Sequence, residues 1–365
     1  MPRHSILLIC AVCLSAVWGA PAAGQDEPAA GFEGLVEVTE VLLDVLAVDR
    51  SGKIAAGLGK EDFTIEENGE AVEITGVSFY ASRYGPGGDL LSADRAVPAS
   101  RYFILFFHDP GSGGSIEGEL SRQLLKARSG CLSWVEEHLL PSDWVAVASY
   151  DAALKLHQDF TQDRSALAQG IKSASSRKNP EKGMGRRGRP VPPSGAPSLL
   201  RYLPQGKALR RETRTLYDGL RLLAEAAGFV VGRKNLLLFS VGFGEFDLSD
   251  LIPQPDPRRY PPMEHALNDH NVAVYPIDLT PIEIRHFQGQ LLKRLALDTG
   301  GRYLRDPINF LAPLRQISEE NAGYYLVSYQ SEHPATEAGY QEVEVEVRDP
   351  AIRLTVRKGY RYGSE

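Results

Sequence analysis

Cysteine is nearly missing from this chain: there are three in 365 residues, and two of them, Cys10 and Cys13, fall within the first 13 positions. Only Cys131 remains downstream, so a chain that loses its leader has no intramolecular disulfide. The disulfide-stapled class of small secreted domains is therefore excluded. Cys131 lies inside a predicted helix, where a buried, inert thiol is expected. No phosphate loop of the form G-x-x-x-x-G-K-[ST] occurs, and the G-x-G-x-x-G string Gly183-Met184-Gly185-Arg186-Arg187-Gly188 lies among the arginines and prolines of an irregular stretch and not between a predicted strand and helix, so it is not read as a nucleotide-binding signature. Positive charge is not in excess: 40 Lys and Arg stand against 47 Asp and Glu, for a net charge of −7. That argues against general nucleic-acid binding.

Long apolar runs are scarce too. The only one near a terminus, Ile6 to Trp18, is shorter than the roughly 20 residues a membrane span needs. Arg3 precedes it and Gly19-Ala20-Pro21-Ala22-Ala23 follows it. A basic start, a short apolar core and a small-residue exit predict a secretory signal peptide over 1–23, with a membrane anchor as the competing reading. Its removal takes one positive charge, Arg3, and no acid, so −7 becomes −8. The expected location is the bacterial periplasm or cell surface.

The rest of the chain is organised around Arg101–Ser115. Tyr102 to Phe107 is an unbroken apolar run, the pattern of a strand buried on both faces. It ends at His108-Asp109-Pro110, a Gly- and Ser-rich turn follows, and an amphipathic helix is predicted over Glu117–Leu140. Open α/β sheets place ligand chemistry at such carboxyl-end tips, and Asp109 is the acid there. Further buried strands are predicted at Trp144–Tyr150, Asn235–Val241 and Val272–Asp278. Leu154–Phe160 is expected to fold back antiparallel on the first of these. Helices are predicted after Asp163, after Thr213, over Leu291–Asp298 and over Phe310–Glu319. The alternation predicts a doubly wound, mostly parallel α/β sheet over 101–322.

Flanking it, 24–35 reads as a tether, 36–83 as an N-terminal β domain, 84–100 as a linker and 323–365 as a C-terminal β segment. Glu67-Asn68-Gly69-Glu70 between alternating runs is a hairpin signal. Each flanking segment is too small to bury a core alone, so the two are expected to pair as one discontinuous antiparallel β domain. Residues 175–212 interrupt the pattern. Cations such as Arg186, Arg187 and Arg189 sit there among prolines and glycines, and a disordered basic insertion is expected.

In their order, several of these pieces resemble the von Willebrand factor type A-like domain, and more narrowly a secreted bacterial subgroup related to it. They are the strand ending at Asp109, the Trp144–Thr161 hairpin closing on Phe160-Thr161-Gln162-Asp163, and Thr215-Leu216-Tyr217-Asp218-Gly219-Leu220. Gly232-Arg233-Lys234-Asn235 before Leu236-Leu237-Leu238-Phe239-Ser240 matches as well, as do Val274-Tyr275-Pro276-Ile277-Asp278 and Gly359-Tyr360. The resemblance implies a non-enzymatic adhesion or scaffold module with a divalent cation at the sheet's carboxyl edge. The cation would be held by a D-x-S-x-S loop, a threonine and a second aspartate, which suits Mg²⁺ and its preference for hard oxygen ligands.

Here the loop reads Asp109-Pro110-Gly111-Ser112-Gly113-Gly114-Ser115, with glycine at both serine positions, and Val241 stands where the second aspartate would be. Asp109, Ser112, Thr213 and Thr215 are the remaining candidate metal ligands, a degenerate adhesion site with Mg²⁺ binding weak or absent and no cofactor required. The competing reading has Asp109 capping the following loop or helix. A protein partner is implied, and Arg186, Arg187 and Arg189 are expected to attract an acidic partner or an anionic envelope lipid or polysaccharide. The alternative class is a serine hydrolase centred on Ser240. Ser240-Val241-Gly242 is half of a nucleophile elbow, but Leu238 replaces its first glycine, and none of His265, His270, His286 and His333 completes a convincing triad order. His265 and His270 are five apart, which does not put both rings on one helical face, so a solvated surface is expected there rather than zinc.

Overall fold

A computed structural model describes residues 36–81, 97–98, 100–110, 117–175, 195–244, 254–280, 289–305, 308–334 and 338–363. From Val36 onward the chain is one compact unit. Its elements in chain order are β1 Val36–Val48, β2 Phe63–Glu67, β3 Glu70–Val72, β4 Ile74–Ala81, β5 Val97–Pro98, β6 Tyr102–His108, α1 Glu117–Glu137, β7 Trp144–Tyr150, β8 Leu154–Thr161 and α2 Arg164–Ala174. Then come α3 Lys207–Glu212, α4 Leu216–Ala227, β9 Lys234–Ser240, α5 Tyr260–Asp269, β10 Val272–Asp278, α6 Gly289–Asp298 and α7 Leu311–Glu320. The chain closes with β11 Gly323–Pro334, β12 Gly339–Val347, β13 Arg353–Thr355 and β14 Gly359–Tyr362.

The central sheet has the order β10-β9-β6-β7-β8 and is parallel except for β8, which pairs antiparallel with β7. This is the α/β architecture expected from the alternation. Alternate residues of β6 serve two cores. Phe103, Leu105 and Phe107 pack with α1, α2 and α7, while Ile104 and Phe106 pack with α4, α5 and α6. A strand buried on both faces needs an apolar side chain at every position, hence the unbroken run. The strand order reverses between β6 and β9, and the crevice at such a switch point is where open α/β sheets bind ligands.

The two ends of the chain do pair. β1 lies antiparallel against β11, β11 against β4, and β12 against β2. The result is two sheets, β13-β1-β11-β4-β5 and β14-β12-β2-β3, enclosing a core that includes Leu43, Val45, Phe63, Ile65, Tyr325 and Val327. The hairpin signal also holds: Asn68 and Gly69 take φ of 51° and 82° between β2 and β3, the double left-handed turn that Asn-Gly favours. The chain breaks at Glu73 between β3 and β4, which belong to different sheets.

One expectation needs correction. The insertion over 175–212 is not irregular throughout. Residues 176–194 lie outside the described set, but Ser198 to Leu203 form a helical turn whose leading N–H groups are capped by Asp159. That carboxylate accepts from Ser198 Oγ at 2.6 Å, Leu199 N at 2.8 Å and Leu200 N at 3.3 Å. Leu199 and Leu203 are buried, and α3 follows. A distant acid supplied what local composition did not reveal. α5 begins at Tyr260 with prolines in its first turn. Proline is tolerated there because the first-turn N–H groups have no helical partner.

On the flank where α5 and α6 meet the β sandwich, Asp298 collects Tyr260 Oη at 2.8 Å, Lys358 Nζ at 2.7 Å and Arg294 Nε at 3.3 Å. Glu264 sits beside this cluster, and burial first, then the Asp298 charge, push its carboxyl up to about 7. Between roughly pH 4.5 and 7 the folded chain keeps a proton there that the unfolded chain releases, so Glu264 lowers stability as pH rises through that window. Melting curves should show wild type losing stability relative to Glu264→Gln between pH 5 and 7.5. Parallel pH profiles would contradict the assignment.

Candidate functional site at the carboxyl edge of the central sheet

β6, β9 and β10 end side by side at His108, Ser240 and Asp278, with Asp109 immediately after the first. His108 and Ser240 are joined across the switch point by a hydrogen bond of 2.7 Å between Nδ1 and Oγ. Both are buried, Ser240 completely. Burial pushes the His108 imidazole down to about 4, so it is neutral at pH 7. Ser240 Oγ also accepts the Gly242 N–H at 2.9 Å, and Gly242 adopts a φ of 106°, a conformation that favours glycine. Phe243 packs edge-on against both His108 and Tyr217.

Asp109 is buried, and its N–H donates to Tyr150 O at 2.8 Å. Thr213 is fully buried and its hydroxyl is committed to backbone: it donates to Leu209 O at 2.7 Å and accepts from Leu154 N at 3.0 Å. Thr215 caps α4, accepting from Asp218 N at 3.2 Å and donating to Asp218 Oδ2 at 2.7 Å. Each threonine oxygen thus serves secondary structure. Asp278, buried at the end of β10, accepts from Thr280 N at 2.8 Å and from Tyr303 Oη, and Arg305 Nε lies 3.6 Å away. Among the described residues no three His, Cys, Asp or Glu side chains converge in a way that could hold a metal ion. Ser112, Arg186, Arg187 and Arg189 lie outside the described residues. Of the candidate ligands among the described residues, Thr213 and Thr215 thus spend their hydroxyls on backbone and helix cap, and Asp109 supplies the carboxylate.

The elements that place these groups were legible in the sequence, but the His108–Ser240 contact was not. Its signal is that each residue ends a buried strand, and the β6–β9 register, Phe107 opposite Phe239, sets them side by side. The downstream histidines do not reach Ser240 in any described contact. His265 stacks on Tyr340 with ring centroids 5.3 Å apart, and His270 follows α5 beside Gly228. Both rings are half-buried, a correction to the solvated surface expected for them. His286 and the His333 side chain lie outside the described set.

No protein-family model matches the chain, and no curated protein sequence matches it. Solved structures similar to it include proximal thread matrix protein 1 of the mussel byssus, at 12% identity over 61% of this chain and 48% of that one, TM-score 0.39. Another is BatB of Bacteroides thetaiotaomicron, at 13% identity over 61% of this chain and 98% of that one, TM-score 0.38. A third is the von Willebrand factor domain of the type V pilus tip protein Mfa5 of Porphyromonas gingivalis, at 12% identity over 61% of this chain and 95% of that one, TM-score 0.39. The likeness is one of fold.

Proposed function

We propose that this chain is an exported, non-enzymatic protein-binding module of von Willebrand factor A-like fold whose partner docks at the carboxyl edge of the central sheet without a divalent cation. The observation that supports this reading is the His108–Ser240 hydrogen bond across the switch-point crevice, with Thr213 and Thr215 committed to backbone and cap. A neutral imidazole and a hydroxyl bonded to each other carry no negative charge to offset that of a divalent cation. The arginines of the insertion, Arg186, Arg187 and Arg189, would steer an acidic partner towards this face, an attraction that weakens as salt rises. Among the described residues no helix is long and apolar enough to cross a membrane.

Calorimetry of the mature chain with Mg²⁺ and Mn²⁺ tests the cation-free reading. No affinity tighter than about millimolar is expected. Micromolar binding that disappears in Asp109→Ala would restore a metal-dependent site. The hydrolase reading gains one observation, the Ser240–His108 contact, since a serine beside a neutral imidazole is the start of a nucleophile–base pair. Against it stand the complete burial of Ser240 and the Gly242 N–H already on its Oγ. A fluorophosphonate probe should leave the protein unlabelled. Labelling that Ser240→Ala abolishes would make the chain an enzyme.

A further inference from the structure

At the opposite, amino-terminal end of the central sheet lies a small cavity of about 20 Å³, where β9 meets the β sandwich. Its lining includes Arg233 and Asn235 from β9 and its approach, Tyr80 from β4 and Tyr324 from β11. Arg233 and Asn235 are 6% and 3% exposed, and each carries a buried polar atom with no hydrogen bond: Arg233 Nε and Asn235 Oδ1. One other nitrogen of each side chain is engaged. Arg233 Nη2 donates to Gly300 O at 2.5 Å and to Tyr275 Oη at 3.3 Å, and Asn235 Nδ2 donates to Tyr102 O at 3.3 Å. That last bond fixes the amide orientation, because a backbone carbonyl only accepts.

Arg233 and Asn235 both line this cavity and, two residues apart along an extended chain, project to the same side of it. One is a donor on a cation, the other a carbonyl acceptor. An anion would satisfy the guanidinium and be repelled by Oδ1, and a cation would meet the reverse problem. An apolar occupant would leave both groups unsatisfied. A small neutral molecule that both donates and accepts answers both. A cavity needs roughly 10–15 Å³ to hold one water, and this one has that room and little more.

We propose that this cavity is a binding site for one ordered water molecule, which accepts from Arg233 Nε–H, donates to Asn235 Oδ1, and helps hold β9 to the sandwich. Tyr80 and Tyr324 line the same space. The junction between the two modules is then closed by solvent that is part of the fold, and the site has no role at the carboxyl edge.

The test is a crystal structure of the full mature chain at high resolution, joined to water-¹⁷O magnetic relaxation dispersion in solution. A water within about 3.2 Å of both Arg233 Nε and Asn235 Oδ1 is expected. Asn235→Leu removes the acceptor and fills the space, so the dispersion amplitude should fall by one long-lived water and the folding constant by about tenfold. Asn235→Ser keeps a polar group and leaves more room, so the amplitude should be retained. A dry cavity, an ion at the site, or an amplitude that is the same in wild type and Asn235→Leu would overturn the proposal. Should Asn235→Leu fail to fold, the wild-type density and the Asn235→Ser amplitude decide it.

Discussion

Asp143→Ala should cost about 3–5 kcal/mol of folding stability, read from chemical unfolding of the mature chain. Asp143 is fully buried and Arg101 nearly so, and the two meet in a two-pronged pair: Arg101 Nε to Oδ1 at 2.7 Å and Nη2 to Oδ2 at 2.6 Å. The third arm of the guanidinium donates to Ser318 O at 2.7 Å, and Leu140 N donates back to Asp143 Oδ2 at 2.8 Å. Arg101 and Asp143 immediately precede β6 and β7, and Ser318 is in α7, so the pair ties two strand starts to a helix. Removing the acid leaves a buried guanidinium without its counter-charge. Arg101→Met with Asp143→Leu removes both charges and should recover most of the loss, because the cost lies in the unpaired ion more than in the absent bridge. A single Asp143→Ala variant within 1 kcal/mol of wild type would show that water reaches the guanidinium.

The second large effect is expected in the sandwich. Glu67 ends β2 facing the core, and three hydroxyls converge on it: Tyr329 Oη at 2.8 Å, Tyr360 Oη at 2.6 Å and Ser331 Oγ at 2.7 Å. The carboxylate comes from the N-terminal part of the chain and all three donors from the C-terminal part. Glu67→Ala leaves three buried hydroxyls unanswered, and at about 1–3 kcal/mol for each unsatisfied group a loss of at least 3 kcal/mol is expected. Glu67→Gln keeps an acceptor for the tyrosines and should lose less. Hydrogen exchange should rise together in β2, β11 and β14, since these strands form one cooperative unit. Faster exchange confined to β2 would mean that the two ends of the chain fold separately.

Much of this architecture is written locally. The unbroken run Tyr102–Phe107 requires a strand covered on both faces, Asn68-Gly69 requires a tight hairpin, and Asp163 caps α2 by accepting from Ser165 N and Ala166 N. Period, turn chemistry and capping depend on neighbours within a few residues, so the sequence alone determined the strands of the central sheet, most of its helices and the β character of both ends, while α3 and α5 went unread. It also shows glycine at both serine positions of the loop after Asp109 and valine after Ser240, residues whose side chains carry no oxygen.

What a side chain touches across the fold is a different matter. Ser240 was legible as a strand end and His108 as the residue before Asp109. Their contact, however, joins positions 132 apart and exists only because β6 and β9 pair in one register. The same is true of Asp159 capping the turn at Ser198, of Glu67 drawing in Tyr329 and Tyr360, and of Thr213 spending its hydroxyl on Leu154 and Leu209. Local pattern decides which elements form. Strand register and packing decide which polar groups are buried together, and burial obliges each of them to find a partner.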